Sequence, residues 1–144
     1  MLLYYKKMHY LLESIFVGIY TLLVYLLIYA ILPFKNMQIL FFTVGFFKHL
    51  FGYYLHLHNY YCNYGDACKS VYLNSESKKA YENSIEYLLM DSLLEGGLFL
   101  IISFFINEST PHTFFLIGFI LHIIFEILGL HTKFCKEKCN RKKR

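Results

Sequence analysis

Lys48, His49, His56, Asp91, Glu95, His122 and Glu126 all stand within long apolar runs of the chain. An ionisable side chain held in hydrocarbon costs about 2.5 to 3.5 kcal/mol on insertion scales, so such groups turn inward and pair. Histidines beside carboxylates offer three chemistries: ion pairs that fix helix partners, a proton relay near neutral pH, or ligation of a metal or haem. Their spacing puts them on coherent helix faces. Gly45, His49, Gly52 and His56 follow an i, i+4, i+7, i+11 stripe, Asp91 and Glu95 are one turn apart, and Gly118, His122, Glu126 and Gly129 form a similar stripe. The glycines permit close helix approach where the polar groups meet. Lys48 or His49 is therefore expected to meet Asp91 or Glu95, and His122 to meet a carboxylate. The structural clasp is the leading reading and the relay or channel its runner-up. The Glu-x-x-His pairs of di-iron bundles are missing, which puts a metal or haem site at His49 and His122 last.

Four cysteines make a second constellation: Cys62 and Cys68 as C-x5-C, and Cys135 and Cys139 as C-x3-C. Two pairs on one reducing face can make a four-thiolate zinc clasp joining a loop to the tail. In an oxidising lumen the same residues would form disulfides. Unlinked thiols are the third reading. The first pair closes the most individual stretch of the chain, Gly52 to Cys68, in which His56, His58, Tyr60, Tyr61 and Tyr64 read as an interfacial anchor.

The elements that must position these groups are helical spans. The chain has 144 residues, 57% hydrophobic and 17% charged, and its mean hydropathy is +0.42. This is far too oily for an ordinary soluble domain. Apolar runs cover residues 11–32, 37–57, 85–106 and 113–130. At about 1.5 Å per residue each approaches or exceeds the roughly 30 Å of a hydrocarbon layer. Pro33 ends the first, Asn36 caps the second, and Thr110-Pro111 caps and opens the fourth. The third is expected to begin as a surface stretch near Ser75 or Ser77 and to bend at Gly96-Gly97. The expected fold is all-α, a single integral membrane four-helix bundle with a loop at 59–84 and a basic tail at 131–144.

Lysines and arginines set the expected orientation. Lys6, Lys7, Lys69, Lys78, Lys79 and the tail residues Lys133, Lys136, Lys138, Arg141, Lys142, Lys143 and Arg144 gather on one side, against Lys35 alone on the other. The positive-inside rule then makes both termini and the middle loop cytoplasmic. Counted from that side, His49, His122, Asp91 and Glu95 fall at similar depths, roughly 9 to 15 Å in. The tail contacts anionic lipid in this reading, and its Arg-Lys-Lys-Arg end also resembles an endoplasmic-reticulum retrieval signal. Nucleic-acid binding has little support, because most of the net charge of +4 sits in the tail. Phosphate loops, the G-x-S-x-G elbow and H-E-x-x-H are all missing from the sequence, and no catalytic residue is assigned.

A composition heavy in Phe, Tyr, Ile, Leu, Asn and Lys, the stretch from Lys48-His49 to Cys68 and the basic tail together resemble the small multi-pass membrane proteins of large nucleocytoplasmic DNA viruses. The resemblance implies a host or internal virion membrane and transfers no site residues. The expectation is a non-enzymatic structural or assembly protein whose partners are lipids, further copies of itself or other membrane or virion proteins. No cofactor is required, with zinc the first alternative and haem or iron the second.

Overall fold

The computed structural model describes residues 2–71, 79–81 and 85–141, with side chains for 9–71 and 85–139. The expected start near Ser75 or Ser77, with Lys78 and Glu82, and the tail residues Lys142, Lys143 and Arg144, lie outside the described residues. Four long helices carry the fold: α1 (Leu2–Ile31), α2 (Met37–Tyr54), α5 (Ile85–Ser103) and α6 (Pro111–Ile127). Three short ones, α3 (Leu57–Tyr64), α4 (Asp66–Val71) and α7 (Leu130–Lys138), cover one end. A small antiparallel ladder joins β1 (Lys79–Tyr81) to β2 (Cys139–Arg141), with Lys79 opposite Arg141 and Tyr81 opposite Cys139.

The capping residues act as their chemistry dictates. The Asn36 carboxamide accepts from the Gln38 and Ile39 amides at 2.8 and 3.2 Å. The Thr110 hydroxyl accepts from the Thr113 amide, with Pro111 opening α6 where its missing N–H is not needed. Two breaks fall where the apolar pattern runs on. α2 stops at Tyr54 because His56 takes a left-handed conformation, φ 56°. α6 stops at Ile127, and Gly129 at φ 71° turns the chain into α7 at 77°. The expected spans 37–57 and 113–130 are each cut short by these turns, whereas α5 runs unbroken through Gly96 and Gly97.

α5 packs along α2 and α6 along α1, and the two pairs meet across α1 and α2. Glycines set the closest approaches. A Cβ on Gly45 would lie 2.8 Å from the Glu95 carbonyl oxygen and from the Phe99 ring, and one on Gly118 would collide with the Thr21 hydroxyl. Gly97 faces open space. Tyr25 stacks on Phe114 at 4.2 Å, and Phe41 closes on Phe114 at 4.7 Å. Val44, Phe99 and Ile117 complete this core.

Polarity is inverted relative to a protein in water. Leu23, Leu94, Phe105 and Ile127 are 58%, 63%, 82% and 78% exposed, while Ser14, Thr21, Lys48, Ser92, Ser103 and His122 are buried. Each buried hydroxyl donates to a carbonyl of its own helix, as Thr21 does to Val17 at 2.7 Å and Ser92 to Leu88 at 2.8 Å. By length and hydropathy one described helix is fit to cross a membrane alone, His9–Ile31 within α1, with mean hydropathy 2.2. α2 and α5 carry the charged groups that make the site.

Gly118→Val should lower the thermal midpoint in detergent by several degrees, since backbone and Thr21 have nowhere to retreat. Gly97→Ala should leave it unchanged or raise it slightly, because an open helical glycine costs about 0.5 to 1 kcal/mol relative to alanine. Equal midpoints for the two variants would refute the close-packed crossing.

Candidate functional site: two polar clusters and a cystine clasp

The first cluster lies between α2, α3 and α5. The Lys48 ammonium donates to Glu95 Oε1 in an almost fully buried ion pair, and His49 Nδ1 lies 3.1 Å from Glu95 Oε2. Asp91 stands on the other side of the ring, 3.9 Å from His49 Nε2. Lys48 thus meets Glu95, and His49 lies between both carboxylates, as the spacing implied. The Tyr20 hydroxyl donates to the Lys48 carbonyl at 2.7 Å, tying α1 to this cluster.

His56 is a correction. The left-handed turn takes it off the stripe, and it lies exposed at the start of α3. His58, two residues on, takes the inner place, its ring 4.6 Å from that of His49. Burial, and then the neighbouring His49, push the His58 imidazole down to about 3.

The second cluster brings α1, α6 and α7 together. His122 Nε2 faces Glu13 Oε2 at 3.6 Å, and His131 Nδ1 lies 2.9 Å from Glu126 Oε2. The two imidazoles are 4.4 Å apart. Glu13 Oε1 accepts from the Asp66 amide at 2.8 Å, so α4 is pinned to α1 through this carboxylate. Tyr61 packs edge-on against His122, with ring centres 6.3 Å apart. Its phenol is held above the ordinary value by burial and then by the Glu13 charge, and Asp66 is raised by the same two causes in the same order.

His122 does meet a carboxylate, but from a residue outside the expected layer. Glu13 and His131 were missed, and His58 was read as part of the interfacial anchor rather than of the first cluster. Glu13 sits at the polar edge of the first apolar run, and His131 lies beyond the Gly129 turn, so neither falls on a stripe of unbroken helix. His49 and His122 belong to different clusters, each beside another imidazole and a carboxylate, rather than to one facing pair.

The cysteines converge, as their placement on one side implied. They do so as cystines: Cys62 is bonded to Cys139 and Cys68 to Cys135. The zinc expectation is corrected to that extent, because a sulfur in a disulfide has no thiolate to give. The two bridges lie side by side, with Cys68 and Cys139 sulfurs 3.9 Å apart, under Tyr53, Tyr61, Val71 and Phe134. They weld α3 and α4 to α7 and β2. The basic tail is accordingly a helix in its first half: Lys133 and Lys136 are exposed, and the Lys138 ammonium lies 3.7 Å from the centre of the Tyr87 ring. Arg141 is placed by backbone only, opposite Lys79.

Fold and site together define a helical protein with an apolar exterior, two buried His/carboxylate clusters and a double cystine clasp. No protein-family model, curated protein or solved structure matches the chain.

Replacing Lys48 by Met alone strands the Glu95 charge and should cost about 3 to 5 kcal/mol, read as loss of the thermal midpoint in detergent. Lys48→Met with Glu95→Leu should recover most of that loss, and additive losses would refute the buried pair. The depressed His58 gives a second expectation. The folded protein keeps this ring neutral while the unfolded chain protonates it near pH 6.5, so its contribution is complete above that pH and is lost as pH falls from about 6.5 towards 3. Stability should fall by up to roughly 1.4 kcal/mol for each pH unit below 6.5, and His58→Gln should flatten that slope when melts are compared from pH 7 to 5.

Proposed function

We propose that the chain is a multi-pass integral membrane protein with a structural or assembly role, in which α1, α2, α5 and α6 span the bilayer and α3, α4 and α7 form a rigid cap on one side. The observation that carries this reading is the inverted polarity. Large apolar side chains face outward along α1, α5 and α6, and at Ile39 and Tyr54 on α2, while Lys48, Glu95 and His122 are turned inward. A water-soluble surface does not tolerate contiguous apolar area on this scale, and lipid demands this arrangement of charges. The cap supports an assembly role: two cystines and a short ladder make it a stiff platform, and exposed Lys133 and Lys136 on α7 give it a basic face for anionic lipid or a partner protein.

The cystines favour an oxidising compartment for the cap, opposite to the cytoplasmic side that the lysine distribution favours. We give the cystines the greater weight, since two buried, correctly spaced bridges require oxidation, whereas charge bias is a preference. A second reading has its own observation. The sulfurs of Cys68, Cys135 and Cys139 lie within 4.8 Å of one another, so under reducing conditions the cap would suit a thiolate zinc site instead.

In sealed membrane vesicles the chain should stay in the pellet through alkaline carbonate washing. A membrane-impermeant reductant should open the cystines only in vesicles whose luminal leaflet has been made accessible. Release by carbonate would refute the spanning reading, and thiols already free before reduction would move the cap to the reducing side.

A further inference from the structure

Around Glu13 and His122 the structure gathers buried polar atoms that the clasp does not use. Glu13 Oε2, His122 Nε2, Asp66 Oδ2 and the Tyr61 hydroxyl are all buried without a hydrogen-bond partner. The His122 side chain is only 7% exposed, and its Nε2 is aimed at the Glu13 oxygen 3.6 Å away. Leaving one such group unsatisfied costs about 1 to 3 kcal/mol, and four in one place require an explanation. A separation of 3.6 Å is too long for a hydrogen bond between nitrogen and oxygen. It is close to the spacing of two ligands that each reach about 2.0 to 2.2 Å to a shared ion.

We propose that Glu13, His122 and His131 bind a divalent first-row transition-metal ion between α1, α6 and α7. One carboxylate and two imidazoles suit such an ion, zinc above all, since it imposes little geometry of its own. The supporting residues match what such ligands need. The second oxygen of Glu13 is fixed by the Asp66 amide at 2.8 Å, and Nδ1 of His131 is held at 2.9 Å by Glu126, leaving Nε2 as that ring's ligand atom. Glu13 and His122 already face each other, and His131 Nε2 closes on the ion by a pivot of the ring about its Nδ1–Glu126 contact, because among the described residues only the cysteine sulfurs have three ligand atoms mutually within 4.8 Å. The site is separate from the cystines and needs no thiolate.

The test uses full-length protein in detergent with its cystines intact, treated with iodoacetamide to block any free thiol, stripped with chelator and titrated with zinc or manganese ions. Calorimetry and elemental analysis after desalting should find one zinc per chain, bound more tightly than manganese. Glu13→Gln and His122→Ala should each weaken binding at least tenfold, and Glu126→Gln, which alters only the support of His131, 10- to 100-fold. Thermal melts of the metal-free variants check that each remains folded, and the mild Glu126→Gln exchange keeps the test decisive if His122→Ala does not fold. Zinc should raise the wild-type midpoint and not that of Glu13→Gln. No zinc retained by the wild type, or zinc retained equally by Glu13→Gln and Glu126→Gln, overturns the proposal, the latter showing an adventitious surface ion.

Discussion

Glu95 accepts from both Lys48 and His49 inside a shell of outward-facing leucine, isoleucine and phenylalanine, where water is a poor substitute for a lost partner. This shared carboxylate constrains the α2–α5 half of the molecule. It fixes the rotation of both helices about their axes, and that rotation is what allows Gly45 to meet the Glu95 backbone and Phe99 to enter the core. Tyr20 extends the constraint to α1 by donating to the carbonyl of the same lysine. The α1–α6 half obeys the same logic with other residues: Gly118 on Thr21 sets the distance, and Glu13 opposite His122 sets the rotation.

Between the halves runs a continuous set of rings. His49 touches His58, His58 approaches Phe134, and Phe134 leads through Tyr61 to His122 and His131. Phe134 and Tyr61 also pack on the cystines. The cap is therefore not an appendage. Its aromatic residues are the contact through which both polar clusters are sealed, so displacing α7 would expose His58 and His122 together.

Much of this was legible in the residues, for identifiable reasons. Asn36 and Thr110 cap through a local bond that depends on nothing distant. Lys48 and His49 found Asp91 and Glu95 because an ionisable group in an apolar run has few choices. The convergence of the cysteines followed from their lying on one side. What stayed hidden was decided by two backbone turns. The left-handed His56 and Gly129 interrupt apolar patterns that carry no break signal strong enough to reveal them, and beyond those turns His58 and His131 occupy places no helical period assigns. Glu13 had no signal tying it to a histidine 109 positions away. Cysteine spacing likewise states which sulfurs can meet, while their oxidation depends on the surroundings.

The two bridges are nested in sequence, Cys62 to Cys139 outside Cys68 to Cys135. Any single cut between Cys68 and Cys135 therefore leaves the amino- and carboxyl-terminal halves covalently joined, at two points and in their original alignment. Helices α1 to α4 and helix α7 would still be tethered after a protease opened the connection ahead of α5. With its cystines oxidised, the molecule is proof against one scission across nearly half its length, and over that stretch its halves separate only when cleavage and reduction act together.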